Sequence, residues 1–206
     1  MSQIALPFDW PVADKDEDFL LADSNRAAFE HLRRWPTWPV MATLLTGPRK
    51  SGRSLMARLF VRKTGGRLFD KAETHEEEAI FHAWNDAQAR RKPLLIIADA
   101  PPPRWQVALP DLRSRLAATP HVEIGPPDDA LIADLILKLL GDRGIAAPPE
   151  LAEFLVPRIE RSHVAVLGVV DTLDRATLSH HKRMTIPLAK RALGEAGMIG
   201  RAKGRA

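Results

Sequence analysis

Residues Gly47-Pro48-Arg49-Lys50-Ser51-Gly52-Arg53-Ser54 reproduce the G-x-x-x-x-G-K-[ST] phosphate-binding loop with one change, an arginine in place of its lysine. Such a loop dictates its surroundings. It must leave a buried strand and open a helix, because the phosphate is held by backbone N–H groups that a helix N-terminus leaves unpaired. Both neighbours are present: residues 40–46 read as a buried, mainly apolar strand, and residues 54–63 carry Leu55, Leu59 and Val61 at helical spacing. Within the loop, Gly47 and Gly52 let the backbone turn inward, and the Ser54 hydroxyl is the group that faces Mg²⁺. Arg53 keeps the positive charge but spreads it over a planar fork, which clamps phosphate without the point-charge geometry suited to transfer. The competing reading is a strand-to-helix turn that binds nothing.

Beyond the loop, short apolar strands alternate with helical stretches. Residues 67–70 read as a very short strand ending in Asp70, 76–91 as a helix with Ile80, Phe81 and Trp84 on one face, and 93–99 as a strongly apolar strand. A short helix over 109–116 exposes Arg113 and Arg115, and 121–124 is the last strand. Asp23-Ser24-Asn25 starts an earlier helix over 26–35. This order predicts an α/β domain with a parallel sheet covered by helices on both faces. Composition shifts at Gly125-Pro126-Pro127, after which every stretch is helical: 128–142, 149–160, 162–179 and 187–194. The expected organisation is an extended leader (1–15), a P-loop α/β domain (16–125), a helical domain (126–196) and a basic tail (197–206). Two readings of Asp70 stand level: an acid orienting nucleotide-bound Mg²⁺ with Ser54, or a residue that caps a turn.

The chain's 206 residues, 45% of them hydrophobic, suffice for a real core. No stretch is long enough to cross a bilayer, no signal peptide is recognisable, and cysteine is absent, so a cytoplasmic protein without disulfides or thiolate metal sites is expected. A net charge of +4 is mild for a protein whose main task is gripping DNA. The seven histidines show no ligand spacing, so no metal is expected beyond Mg²⁺ carried by a nucleotide. Trp10, Trp35, Trp38, Trp84 and Trp105 are scattered, which reads as packing and not as a base-stacking platform.

Several phrases together resemble the DnaA-related AAA+ family, and within it the Hda branch of regulators. They are the loop itself, residues 94–102, the phrase Leu109-Pro110-Asp111-Leu112-Arg113-Ser114-Arg115-Leu116, and Leu173-Asp174-Arg175-Ala176 with Thr185-Ile186-Pro187 in a helical lid. The resemblance implies a AAA+ module followed by a lid, with ADP or ATP bound by Gly47 to Ser54, Asp70 and, from the lid, Arg161. It implies that Arg115, or alternatively Arg113, reaches across an interface as an arginine finger toward the nucleotide of DnaA. The stretch from Ser54 to Asp70 is too short for the strand and helix the family inserts there, so a reduced sheet of about four strands is expected. The chain is also too short for the helix-turn-helix domain of the initiators, which points within the resemblance to the regulatory branch.

The leader Gln3-Ile4-Ala5-Leu6-Pro7-Phe8 resembles the peptide by which bacterial proteins dock on the polymerase sliding clamp, the β subunit of DNA polymerase III. Gln3 would bond a pocket rim while Ile4, Leu6 and Phe8 supply apolar anchors and Pro7 pre-sets an extended backbone. The alternative is an arm tucked onto its own domain. Two departures from the family pattern bear on activity: Lys71 stands where a second acid usually follows the strand-end aspartate, and Val164 stands at the lid position of a nucleotide-facing arginine. The expected function is therefore negative regulation of replication initiation, by stimulating hydrolysis of DnaA-bound ATP from the clamp, with little turnover of its own. A self-sufficient P-loop ATPase, acting as a loader or remodelling factor, is the alternative. DNA would be met only weakly or indirectly, through Arg201, Lys203 and Arg205.

Overall fold

The computed structural model describes residues 19–180 and 184–199, which form two compact units divided between Gly125 and Pro126. The leader anchors Gln3, Ile4, Leu6 and Phe8 and the tail cations Arg201, Lys203 and Arg205 lie outside the described residues, while Met198 and Ile199, expected in the tail, pack against the helical core.

The first unit is built as α1 (Asp23–Arg33), β1 (Ala42–Thr46), α2 (Arg53–Thr64), β2 (Arg67–Phe69), α3 (Glu77–Arg90), β3 (Leu94–Ile97), α4 (Pro110–Ala117) and β4 (His121–Glu123). The strands form one parallel sheet in the order β2-β3-β1-β4, with Leu44 opposite Ile96 and His121 and Phe69 opposite Ile96. This is the four-stranded sheet expected. Strands covered on both faces read as uninterrupted apolar runs, and every residue of β1 and β3 is buried. Leu44, Leu45, Ile80, Ile96, Leu112 and Ile124 are among the most deeply buried side chains, each worth about 1.5–3 kcal/mol of burial. Trp38, Trp84 and Trp105 join this core and Trp35 packs at its edge.

The direct passage from α2 into β2 explains the missing strand. Gly65 ends the helix in the left-handed conformation with its N–H donating to Val61 O. A Cβ on Gly66 would lie 2.4 Å from Pro93 O, so only glycine lets the chain enter the ladder beside β3 at once. The start of α1 is fixed by Asn25, whose side chain accepts from Ala22 N–H at 2.9 Å and donates to Leu20 O at 2.8 Å.

Among the described residues the second unit has helices and no strand: α5 (Asp129–Asp142), α6 (Pro149–Leu155), α7 (His163–His180) and α8 (Ile186–Glu195). Asp128 caps α5 by accepting from Leu131 N–H, and Thr185 caps α8 by accepting from Leu188 N–H. Ile132, Ile136, Leu140, Leu155, Val170 and Leu193 form its core. The helix expected over 149–160 stops earlier, passing into a 3-10 turn at Val156–Arg158, because Pro157 lacks the N–H that an α-helix needs. Among the described residues no helix is long and apolar enough to cross a membrane.

Candidate phosphate-binding site

The loop between β1 and α2 takes its shape from a few backbone constraints. Gly47 has φ +150°, and a Cβ there would lie 2.7 Å from Ile124 O, so the strand end and the segment after β4 meet backbone to backbone. Ser51 N–H closes a turn onto Pro48 O at 3.2 Å, and Lys50 before it has φ 64°. The helix begins with Met56 N–H donating to Gly52 O at 2.9 Å. By helix geometry the N–H groups of Gly52, Arg53, Ser54 and Leu55 are then without intrahelical acceptors and point out of the N-terminus. Together with the helix dipole they make an anion site.

Ser51 supplies an independent sign. It is 6% exposed, and its Oγ has no hydrogen-bond partner although a buried hydroxyl ordinarily finds one. Both Ser51 and Ser54 line a cleft of about 950 Å³ between the loop and the C-terminal ends of β2 and β3. Arg49, Lys50, Arg58, Lys71 and Arg104 bring positive charge to it, against the carboxylates of Asp70, Glu73 and Asp99. A nucleotide polyphosphate fits such a donor set: bare N–H groups, an orphan hydroxyl and an excess of cations. Among the described residues no cluster of three or more histidines and acids could hold a metal by itself, so Mg²⁺ at Ser54 and Asp70 would require phosphate oxygens as well.

Arg53 does not extend along the loop. Its Nη1 donates to Ala98 O at 2.7 Å and its Nη2 to Asp99 Oδ1 at 2.8 Å, with 12% of its side chain exposed. Ala98 follows directly on β3, which ends at Ile97, short of the expected 99. Because the Asp99 side chain is 79% exposed, the ion pair adds about 1 kcal/mol at most. Asp99 is itself pinned, since its N–H donates to the Glu73 carboxylate. Neither acid was among the residues singled out from the sequence, although Asp99 closes an apolar run just as Asp70 does. Sheet order separates the two: β3 lies beside β1, whereas β2 is the edge strand. Asp70 lines the same cleft, half-buried, and its carbonyl meets His75 Nε2 at 3.0 Å. Lys71, next to it, is exposed and held at φ 55°.

The two arginines of α4 have different commitments. Arg113 is turned back onto its own chain, donating from Nε to Val107 O and from Nη2 to Ala108 O, both at 3.2 Å. Arg115 is exposed and lies over the Trp84 ring. In the helical unit, Arg161 makes a two-pronged pair with Asp129, Nε to Oδ1 at 2.8 Å and Nη2 to Oδ2 at 2.9 Å. Val164 on the first turn of α7 is 54% exposed.

Residues 135–193 match the family described as "Hda, lid domain". Domain III of the replication initiation protein DnaA from Thermotoga maritima superposes with a TM-score of 0.72 at 14% identity, covering 87% of this chain and 95% of that one. AMPPCP-bound DnaA from Aquifex aeolicus superposes with a TM-score of 0.58 at 16% identity, over 76% of this chain and 63% of that one. An uncharacterized protein of Haemophilus influenzae is 34% identical over 118 residues, 57% of this chain and 51% of its own length. The chain thus spans about half the length of that curated relative. Residues 135–193 are thus similar to the Hda lid domain, and the chain shares its fold with domain III of DnaA.

Proposed function

We propose that this chain is a regulator of replication initiation that acts on DnaA from the sliding clamp and holds its own nucleotide as a structural ligand. The observation that carries this reading is Arg53. The loop retains the backbone cradle for a phosphate, yet the one side chain that in a hydrolysing loop serves the β- and γ-phosphates is bonded to Ala98 O and Asp99. A module built this way favours binding over turnover.

Gly47 to Ser54 would hold the phosphates through backbone N–H groups and the Ser51 and Ser54 hydroxyls, with Asp70 opposite. When bound, an ADP or ATP phosphate chain with Mg²⁺ supplies anionic charge that neutralises the cations lining this cleft. Diphosphate is taken at least as well as triphosphate, because the cradle is intact whereas Lys71 replaces an acid and Arg53 is engaged elsewhere. Arg161 is not needed for this, being paired with Asp129.

The trans activity falls to Arg115. An arginine finger adds positive charge where negative charge builds during phosphoryl transfer. Arg115 is exposed, and Arg113 is tied to Val107 O and Ala108 O. DnaA and the β clamp are the proposed partners, the clamp through Gln3, Ile4, Leu6 and Phe8, in a cytoplasmic setting.

The test is ATP hydrolysis by DnaA with and without this chain in the presence of clamp loaded on DNA. Stimulation that requires both chain and clamp supports the proposal. Brisk hydrolysis by the purified chain alone would instead favour the self-sufficient ATPase.

A further inference from the structure

We infer that the end of the sheet opposite the phosphate cleft is a surface for duplex DNA, gripped through its phosphates by exposed cations of the helix-to-strand connections. This surface lies wholly within the α/β unit and does not depend on the cleft holding a nucleotide.

In a parallel sheet all strands start at the same end, and the helix before each strand runs back to deliver the chain there. Particular bonds fix that end in this unit. At the start of α1, Ser24 O accepts from Gly125 N–H beyond β4 at 2.7 Å, whereas His31 near its end reaches Thr43 Oγ1 near the start of β1. Met41 N–H, entering β1, donates to the Gln88 side chain near the end of α3 at 2.9 Å. Arg67 N–H donates to Pro93 O at 2.9 Å, so the start of β2 lies beside the chain that enters β3. The connections 33–41, 62–66 and 90–93 therefore meet at one end of the sheet, and every charged residue in them is a lysine or an arginine. Arg67 adds its charge as the first residue of β2. Asp70, Glu73 and Asp99 line the cleft at the other end. Arg33 and Arg90 are paired on their own helices with Glu30 and Asp86. Arg34, Arg62, Arg67, Arg91 and Lys92 are exposed and have no acidic partner among the described residues.

Helix dipoles account for part of this pattern, since cations near a helix C-terminus are favourable. They do not account for Arg67, which stands in a strand, or for Arg91. Arg91 ends α3 at φ 50° and ψ 40°, the left-handed position that ordinarily goes to glycine because a side chain disfavours it. Glycine would close the helix better, whereas arginine keeps a charge at the surface between Arg90 and Lys92.

The arrangement fits duplex DNA better than other polyanions. Its cations come from separate connections, spread over strand starts about 4.7–4.9 Å apart. A duplex carries one charge per about 1.7 Å of its axis, so a row of this kind meets several phosphates at once. Single strands are held by exposed aromatic faces, and Trp38, Trp84 and Trp105 of this unit are buried. A membrane surface takes apolar side chains inserted beside the cations. The exposed large hydrophobic residues among those described, Val164 and Leu178, both lie in the helical unit. Contacts through phosphates alone carry no sequence preference.

The test is fluorescence anisotropy of a labelled duplex of mixed sequence, titrated with the full chain over a series of salt concentrations. Binding is expected to weaken steeply as salt rises, because each neutralised phosphate contributes about 0.9 to the slope of log affinity against log salt. The triple variant Arg67→Gln, Arg91→Gln, Lys92→Gln should bind about tenfold more weakly or worse, with a slope shallower by about 2–3. Arg91→Gly alone should raise the melting temperature, because glycine suits the left-handed turn, and still weaken the duplex complex. An arginine with a purely structural role would not separate those two readouts. Replacing Arg201, Lys203 and Arg205 with Gln should leave most of the binding in place, and saturating ADP should not displace the duplex. Absence of duplex binding at low salt overturns the inference, as does undiminished binding by both the triple variant and Arg91→Gly. Loss of binding in the tail variant, or displacement by ADP, moves the contact elsewhere and overturns it too. Equal binding of single-stranded DNA, or of vesicles containing anionic lipid, overturns duplex DNA as the partner.

Discussion

Arg115 lies over the ring of Trp84 with its guanidinium carbon 4.8 Å from the ring centre, and the Trp84 indole N–H donates to Thr119 Oγ1 at 3.0 Å. Thr119 Oγ1 in turn donates to Arg115 O at 2.8 Å, so α3 and the end of α4 are joined by a closed set of contacts around the arginine. The guanidinium itself is held against the aromatic face while the residue stays exposed.

This arrangement predicts separable effects. Arg115→Ala should lose about 0.5–1 kcal/mol of stability from the exposed cation–π contact, a minor change. Stimulation of DnaA-bound ATP hydrolysis should fall far more, since fingers of this kind supply roughly 10³–10⁵ in rate. Steady-state phosphate release with loaded clamp reads the second effect, and a thermal melt reads the first. Full stimulation by Arg115→Ala would move the finger to Arg113 or end the trans mechanism.

The leader makes a second prediction. Gln3→Ala combined with Leu6→Ala should abolish co-sedimentation with the sliding clamp and leave the melting temperature unchanged, because a few anchors carry most of a peptide's affinity. Clamp binding undiminished in the double variant would mean that contact is made elsewhere.

What the sequence made legible, and what it did not, follows a physical line. The two central strands were readable because Leu44 and Leu94 to Ile97 belong to buried stretches between Gly and Pro breaks, whereas β2 and β4 are three residues each and only partly buried. The later helices were readable from the change of composition at Gly125-Pro126-Pro127, although the last starts one residue earlier than expected, at Ile186, where Thr185 caps it. The loop was readable because its chemistry is written in consecutive residues. The partner of Arg53 was not, because Asp70 and Asp99 are both strand-end acids and only the sheet order decides which one stands beside β1. Nor was the difference between Arg113 and Arg115, two residues apart on one short helix, since it depends on where the Val107 carbonyl and the Trp84 ring fall in space.

One buried and one half-buried histidine predict how stability responds to acid. His163 is 6% exposed with an unpartnered Nδ1, and His31 is half-buried, with Nε2 2.9 Å from Thr43 Oγ1 and its ring stacked on Trp38. Burial pushes both below the ordinary value of 6.5. The fold therefore holds them neutral while the unfolded chain takes up protons from about pH 6.5 downward. Their contribution is fully present above that pH and is lost as pH falls through the depressed folded values. Thermal midpoints measured from pH 7.5 to 5.5 (about one unit either side of that value) should decline, and His163→Gln or His31→Gln should each flatten the slope. A slope unchanged in both variants would assign the decline to other groups.

The last prediction concerns Gly47, where the phosphate loop and the core are one problem. Its φ of +150° lies in a region that L side chains rarely adopt, and a methyl group would be driven to 2.7 Å from Ile124 O and 3.0 Å from Ile124 Cβ. Ile124 cannot give way cheaply, because it is fully buried and its N–H donates to Thr46 O at 2.9 Å, the bond that fastens the chain after β4 to the end of β1. Gly47→Ala should thus cost about 1–3 kcal/mol from backbone strain, with the clash adding to it. Displacing the loop also misaims the N–H groups of Gly52 to Leu55, so nucleotide affinity should fall together with stability. Gly144→Ala is the control: its φ is also positive at +74°, but a Cβ there meets open space and it lies in the helical unit, away from the loop. It should lower the melting temperature by strain alone and leave nucleotide binding intact. Calorimetry showing equal nucleotide binding by both variants would mean that the loop tolerates displacement and does not depend on its seat against Ile124.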